Sequence, residues 1–135
     1  MTKAIDTLKK HKLKVTPGRL ELLSLLQNNK NAVSQSVIQN EFKEMDRVTL
    51  YRILGAFQEK GIIHKITDEN GVSHFAVCKD ECSSHGHKHH HIHFECDNCK
   101  TIFCVDTPEL ELGHLSNYTV RELDIKAKGI CDSCQ

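Results

Sequence analysis

The 135-residue chain has no tryptophan, and aromatic residues make up only 5% of it. With hydrophobic residues at 39%, the material suits one ordinary helix-containing domain or two small ones with a thin core. Domains that small often need a staple such as a bound metal. No apolar run approaches the ~18 residues of a membrane span. The first residues, MTKAIDTLKKHK, hold no apolar signal segment. These absences make a cytoplasmic protein with no membrane partner the expectation. Also missing are HExxH and the HxE…PCxxC pair, with which zinc hydrolases and deaminases set an open metal position beside a general base. An enzyme is not expected.

Net charge is absent too, but the zero hides an asymmetry. Residues 1–77 carry 12 Lys+Arg against 8 Asp+Glu, and residues 78–135 carry 6 against 10. The first 19 residues alone hold 6 basic side chains and 1 acidic. A basic half joined to an acidic one suits a chain whose first half meets a polyanion, although solvated faces produce the same imbalance. Cysteine is missing from the first half altogether: all seven lie at 78, 82, 96, 99, 104, 131 and 134. Nine of the ten histidines lie at or beyond His64, six of them between His85 and His93. An odd cysteine count interleaved with histidine, without an export signal, points to metal rather than disulfides.

The first half patterns as helices and then a hairpin. Residues 3–12 form an amphipathic stretch with Ile5 and Leu8 on one face. Thr16-Pro17 supplies an N-cap and a first-turn proline for a helix striped by Leu22, Leu23 and Leu26. Ser34 caps a third helix, with Ile38 and Phe42 four residues apart. Asp46 caps a fourth, RVTLYRILGAFQEKG, in which Leu50, Ile53, Leu54 and Phe57 follow helical spacing and Gly61 is the stop. Two β-prone runs, IIHKIT and VSHFAV, flank a DENG turn. This is the outline of a winged helix-turn-helix. With the leucine stripe inward, Thr49, Tyr51 and Arg52 lie on or beside the outer face, chemically able to read a major groove. Equally, Tyr51 could pack at the helix edge and Arg52 make a surface ion pair.

In the second half, Cys96-Asp-Asn-Cys99 and Cys131-Asp-Ser-Cys134 are two CxxC knuckles with 31 residues between them. Two such knuckles complete a four-thiolate shell, the closed form of a structural zinc site. A redox CxxC usually occurs once, at a helix N-terminus. The structural zinc would tie the C-terminal strand, TVRELDIKAKG, to the hairpin HIHFECDNCKTIFCV. His91 and His93 alternate along a strand, and Cys104 lies five residues past the first knuckle. The tract CSSHGHKHHH, with Cys82, His85, His87, His89 and His90, also reads as a loose metal-collecting loop.

LKKHKLKVTPGRLELLSLL followed by RVTLYRILGAFQEKGII resembles the DNA-binding domain of the ferric uptake regulator (Fur) family, and the second half continues the likeness. The resemblance implies DNA contacts from Lys14, Tyr51 and Arg52, with Arg19 and Thr49 as further candidates for phosphate. It also implies a homodimer on a pseudo-palindromic double-stranded operator, and a sensory metal held by a set drawn from His64, Cys78, His91, His93 and Cys104. Zinc normally takes four ligands, so at least one of the five is spare. Taken singly, His64 could be an ordinary wing histidine and Cys104 a small buried hydrophobe. GIIHKI…FAVC is similar to the zinc uptake regulator (Zur) branch, and soft thiolates at 78 and 104 favour Zn2+ over iron or manganese. A further regulatory site of many relatives should be missing, because Ile92 and Leu123 stand where it needs an acid and a histidine, and the resemblance does not support Glu111 and His114 as substitutes. The helix usual between the knuckles should be truncated or absent.

The expected fold class is therefore α/β, of the α+β kind. A winged-helix DNA-binding domain spans residues 1–77 and a His/Cys-rich hinge 78–90. A small α/β dimerisation and metal-binding domain follows over 91–135. The expected function is zinc-activated repression of metal-uptake genes. An iron- or peroxide-responsive regulator of the same family is the alternative, and a zinc storage or chaperone protein is the rival from another class.

Overall fold

The computed structural model of the chain describes residues 2–77, 90–107, 113–120 and 125–135, with the side chains of residues 90, 91, 106 and 107 outside that description. Four helices come first. They are α1 (Thr2–Lys10), α2 (Pro17–Asn28), α3 (Gln35–Glu41) and α4 (Arg47–Glu59). Each expected cap closes its helix. Thr16 accepts the Arg19 N–H, Ser34 the Val37 N–H and Asp46 the Thr49 N–H, all at 3.3 Å. These bonds satisfy N–H groups that a first helical turn cannot pair internally. At the far end of α4, Gly61 takes φ 75°, and the amides of Gly61 and Ile62 turn back onto the carbonyls of Gln58 and Phe57. That is a Schellman stop, which a residue without a Cβ enters at little cost.

The leucine stripes meet in one core. Leu8, Leu22, Leu23, Leu26, Ile38, Leu50, Leu54 and Phe57 are buried together with Ile62, Ile63 and Phe75. Each such side chain contributes roughly 1.5–3 kcal/mol on burial. On α1 the buried pair is Ala4 and Leu8, and Ile5 is only half-buried. Phe42 is the C-terminal cap of α3, not an interior position. Gly18 lets the start of α2 lie against α4, since a Cβ there would meet Ile53 Cδ1 and Met45 Cε at 3.3 Å.

The wing has three strands in the order β1 (Val33–Ser34), β3 (Ser73–Val77), β2 (Ile63–Thr67), all antiparallel. Its turn is built on Asp68, whose carboxylate accepts the amides of Asn70 and Val72 and meets the His74 ring, each at 2.9 Å. The second sheet has the order β5 (Ile102–Thr107), β4 (His90–Cys96), β6 (Ile125–Gly129). Strand β4 runs antiparallel to β5 and parallel to β6. Of the expected last strand, Ile125–Gly129 is a strand, Thr119 and Val120 are not, and residues 121–124 lie outside the described ones. Between the knuckles, the only helical element among the described residues is a 3-10 turn, Gly113–Leu115.

The two sheets meet. The Ala32 amide donates to the Ile102 carbonyl at 3.2 Å, and Ile66, Ala76 and Ile102 pack together with Ala32. Lys126 Nζ donates to the Thr67 carbonyl at 3.0 Å, and Lys128 pairs with Glu69. No helix among the described residues is long and apolar enough to cross a membrane.

Candidate metal centre and nucleic-acid interface

The first knuckle occupies the bend between β4 and β5. Its backbone closes through Lys100 N–H to the Cys96 carbonyl and Cys96 N–H to the Thr101 carbonyl, both at 3.0 Å. Lys100 sits in the left-handed region at φ 62°. That conformation costs an L residue roughly 1–2 kcal/mol, so something must hold the bend. The second knuckle follows β6, and parallel pairing of β6 with β4 brings Gly129 opposite Cys96. Hence Cys96, Cys99, Cys131 and Cys134 converge, their Sγ atoms all within 4.8 Å of one another. Cys99 and Cys131 are 3.9 Å apart at sulfur. A disulfide would need about 2.05 Å, whereas two thiolates on one tetrahedral zinc stand about 3.8 Å apart.

The cluster's electrostatics call for a cation. Cys96 Sγ receives the amides of Cys131 at 3.4 Å and Cys99 at 3.5 Å. Those donors, Cys131 first, draw its thiol down to about 6. Burial and the neighbouring sulfurs push Cys131 up to about 12. One thiolate is thus favoured and its neighbour is reluctant, and a bound cation would let all four ionise together.

A second cluster lies where wing and C-terminal sheet touch. His64 comes from β2. His93 and Cys104 stand directly opposite one another on β4 and β5. Their donor atoms also lie within 4.8 Å of one another. Cys104 Sγ is 3.5 Å from His64 Nε2, and the His64 and His93 rings are 5.0 Å apart at their centroids. For zinc with one nitrogen and one sulfur ligand in tetrahedral array, the N···S edge is about 3.5 Å. This donor set fits a borderline-soft divalent ion such as zinc. Of the five expected sensory ligands, three are therefore brought together. Cys78 and the His91 side chain lie outside the described residues, as do Cys82, His85, His87, His89, Glu111 and Leu123 and the side chain of His90. His114 is exposed on the 3-10 turn and belongs to neither cluster.

On α4, Thr49, Tyr51 and Arg52 are exposed while Leu50, Ile53, Leu54 and Phe57 are buried. The Thr49 hydroxyl also reaches the capping Asp46 carboxylate at 3.5 Å. Lys14 is exposed, and Arg19 spends one guanidinium N–H on the Lys14 carbonyl at 2.8 Å. Sequence reasoning missed Val48, which is 53% exposed beside Tyr51. It also missed Gln35 and Gln39 of α3, both of which donate to the Tyr51 hydroxyl. Their i, i+4 spacing was the available signal.

The model of the ferric uptake regulator family matches residues 10–130. The chain belongs to that family. Fur-family proteins are DNA-binding, metal-responsive regulators of transcription, not enzymes. The chain is 30% identical over 117 residues to the ferric uptake regulation protein of Klebsiella pneumoniae, covering 83% of this chain and 70% of the relative. It is 24% identical over 143 residues to the peroxide operon regulator of Bacillus subtilis, covering 99% and 92%. Among solved structures, a zinc uptake regulator complexed with zinc and DNA superposes with a TM-score of 0.68 at 23% identity, over 98% of this chain and 91% of that one. The Vibrio cholerae ferric uptake regulator gives 0.64 at 24%, over 93% and 98%. The Fur fold is thereby established for this chain.

Proposed function

We propose that this Fur-family protein is a zinc-responsive repressor, acting as a homodimer on a pseudo-palindromic DNA operator in the cytoplasm and controlling metal-uptake genes. The observation that carries the reading is the meeting of His64, on the wing, with His93 and Cys104, on the C-terminal sheet. A bound zinc there would cross-link the two sheets through imidazole and thiolate. Cys78 and His91 are the candidates to complete the shell. Cys96, Cys99, Cys131 and Cys134 would hold a separate structural zinc that fastens β6 to the β4–β5 bend.

The chain's own residues do the switching. His64 moves with the wing, and the wing moves with α4 through the shared core of Leu54, Phe57, Ile62 and Ile63. His93 and Cys104 are fixed to the sheet, so the cluster is complete in only one relative pose of wing and sheet. Ligand binding shifts such an equilibrium by its difference in affinity for the two poses. In the closed pose, α4 of each protomer would be held at the spacing of two operator half-sites. Tyr51, Arg52 and Lys14 would then meet DNA, with Arg19 and Thr49 at phosphates.

An iron- or peroxide-responsive regulator is the second reading, favoured by the relatives matched in sequence. The donor set separates the two, since a thiolate at Cys104 suits zinc better than iron or manganese. DNA binding by the dimer, titrated with buffered Zn(II), Fe(II) and Mn(II) and with Cys78→Ser as control, tests the choice. Activation by zinc that Cys78→Ser weakens is expected. Activation by iron or manganese alone, with Cys78→Ser silent, would overturn the zinc reading. A storage protein would bind the metal and show no DNA phenotype in Tyr51→Ala.

A further inference from the structure

The phenol of Tyr51 is a donor through its one proton and an acceptor through the lone pairs of its oxygen. The residue is 41% exposed on the outer face of α4, yet its hydroxyl is not left to water. Gln35 Nε2 donates to it at 2.7 Å, and Gln39 Nε2 donates to it as well. The two glutamines stand one turn apart on α3, both half-buried. Their carboxamides bridge the helix that precedes α4 to the tip of a side chain on α4.

We propose that Gln35 and Gln39 are positioning residues for DNA recognition: by filling both lone pairs of the Tyr51 hydroxyl they leave it only its proton to offer, aimed away from α3 as a donor to an acceptor atom of the duplex. The inference rests on the reading of α4 as the recognition helix and adds to it a polarity. A tyrosine whose oxygen is unclaimed can donate or accept, and its hydroxyl turns freely. With both lone pairs occupied, Tyr51 discriminates for acceptors, and the cost of orienting it is met on folding, before DNA arrives. Acceptors of the required kind are purine N7, guanine O6, thymine O4 and the phosphate oxygens.

The test is a double-mutant cycle in the full-length, zinc-loaded protein. Its probe is a duplex selected by the wild-type protein from a random-sequence library. Methionine matches glutamine in length and cannot donate, so the variants are Gln35→Met/Gln39→Met, Tyr51→Phe, and the triple. Losing one productive hydrogen bond per half-site weakens binding about fivefold, or about 25-fold for a dimer on two half-sites. Tyr51→Phe should show a loss of that order, and the glutamine pair a measurable but smaller one, because the freed hydroxyl can still donate but is no longer oriented. The triple should be no worse than Tyr51→Phe alone, because the glutamines act only through the hydroxyl. Losses that multiply in the triple would mean that the glutamines touch DNA themselves and would overturn the proposal. No loss in the glutamine pair would overturn it equally.

Tyr51→Ala separates the layers. If it weakens binding while the glutamine pair is silent, the positioning role fails and the recognition helix stands. If Tyr51→Ala is itself silent, the recognition helix falls. Duplexes with 7-deazapurines, 6-thioguanine or 4-thiothymine, and duplexes with methylphosphonate linkages, locate the acceptor. Collapse of the difference between wild type and Tyr51→Phe on either kind supports the proposal. Its persistence on both would refute a donor role for the hydroxyl. Zinc content and urea midpoints of all variants show that folding is intact.

Discussion

Replacing Cys104 by alanine should uncouple metal from the wing without unfolding the C-terminal sheet. Cys104 is half-buried on β5, opposite His93 and 3.5 Å from His64 Nε2. The substitution removes one soft donor and little packing. At a free zinc concentration 100 times the dissociation constant of the joint site, binding stabilises the closed pose by about 2.7 kcal/mol. Altering a partner of a metal ligand already costs 10–100-fold in affinity, so loss of a ligand should reach at least the upper figure. The same zinc concentration then gives only a one-to-one ratio of zinc to dissociation constant and about 0.4 kcal/mol. About 2.3 kcal/mol of zinc-dependent closure should therefore vanish. Hydrogen exchange of the β2 and β3 amides, with and without zinc in a metal buffer that keeps the four-cysteine site filled, reads that difference directly. Equal zinc-dependent protection of the wing in wild type and Cys104→Ala would refute the reasoning, because the ion would then close the wing without this sulfur.

Four other perturbations have defined outcomes. Gly55 lies inside α4, and a Cβ added there would meet nothing within 4 Å, so Gly55→Ala should raise stability by about 0.5–1 kcal/mol in urea unfolding. Gly61→Ala should do the opposite, lowering stability by about 1–2 kcal/mol because the residue must keep φ 75°. Lys128→Glu reverses a pair with Glu69 in which both side chains are close to half exposed, at 45% and 48%. It should raise the zinc concentration needed for DNA binding by a small factor that shrinks at high salt, measured by titration at two ionic strengths. The Asp68 carboxyl is held below its ordinary value of 3.8, first by the His74 ring and also by the amides of Val72 and Asn70, against the opposing effect of burial. A carboxyl depressed in the folded state stabilises above its unfolded value and loses that contribution as pH falls through the folded one. The melting-temperature advantage of wild type over Asp68→Asn should accordingly be full above about pH 5 and fade below about pH 4, followed by calorimetry.

Much of the first half was legible because local signals agreed with one another. Thr16, Ser34 and Asp46 are caps of the right chemistry at the right spacing, and the leucines of α2 and α4 repeat on one stripe. Gly61 sits where a left-handed stop is required. Strand β1 was not legible, since two residues carry no period, and Val33 and Ser34 become a strand only by pairing with Phe75 and His74. On α1 Ala4 is buried with Leu8 in the common core while Ile5 is only half-buried, a one-residue rotation of the face that short amphipathic periodicity does not fix.

The four-cysteine cluster could be read from spacing alone, whereas the parallel β4–β6 pairing that assembles it could not. Such pairing links segments about thirty residues apart with no local turn to announce it. The meeting of His64 with Cys104, forty positions apart, was available only through family likeness, because nothing local to either residue names the other. The Tyr51 bridge to Gln35 and Gln39 escaped notice for a related reason. Glutamine at the edge of a helix is ordinary until the partner across the turn is known.

The most direct measurement is an anomalous-difference map at the zinc edge from crystals of the protein loaded with two equivalents of zinc. One peak should lie among Cys96, Cys99, Cys131 and Cys134. The second should lie about 2.0–2.3 Å from donor atoms of His64, His93 and Cys104 at once. A second peak that leaves His64 of the wing unligated would contradict the account, since no ion would then join wing to sheet.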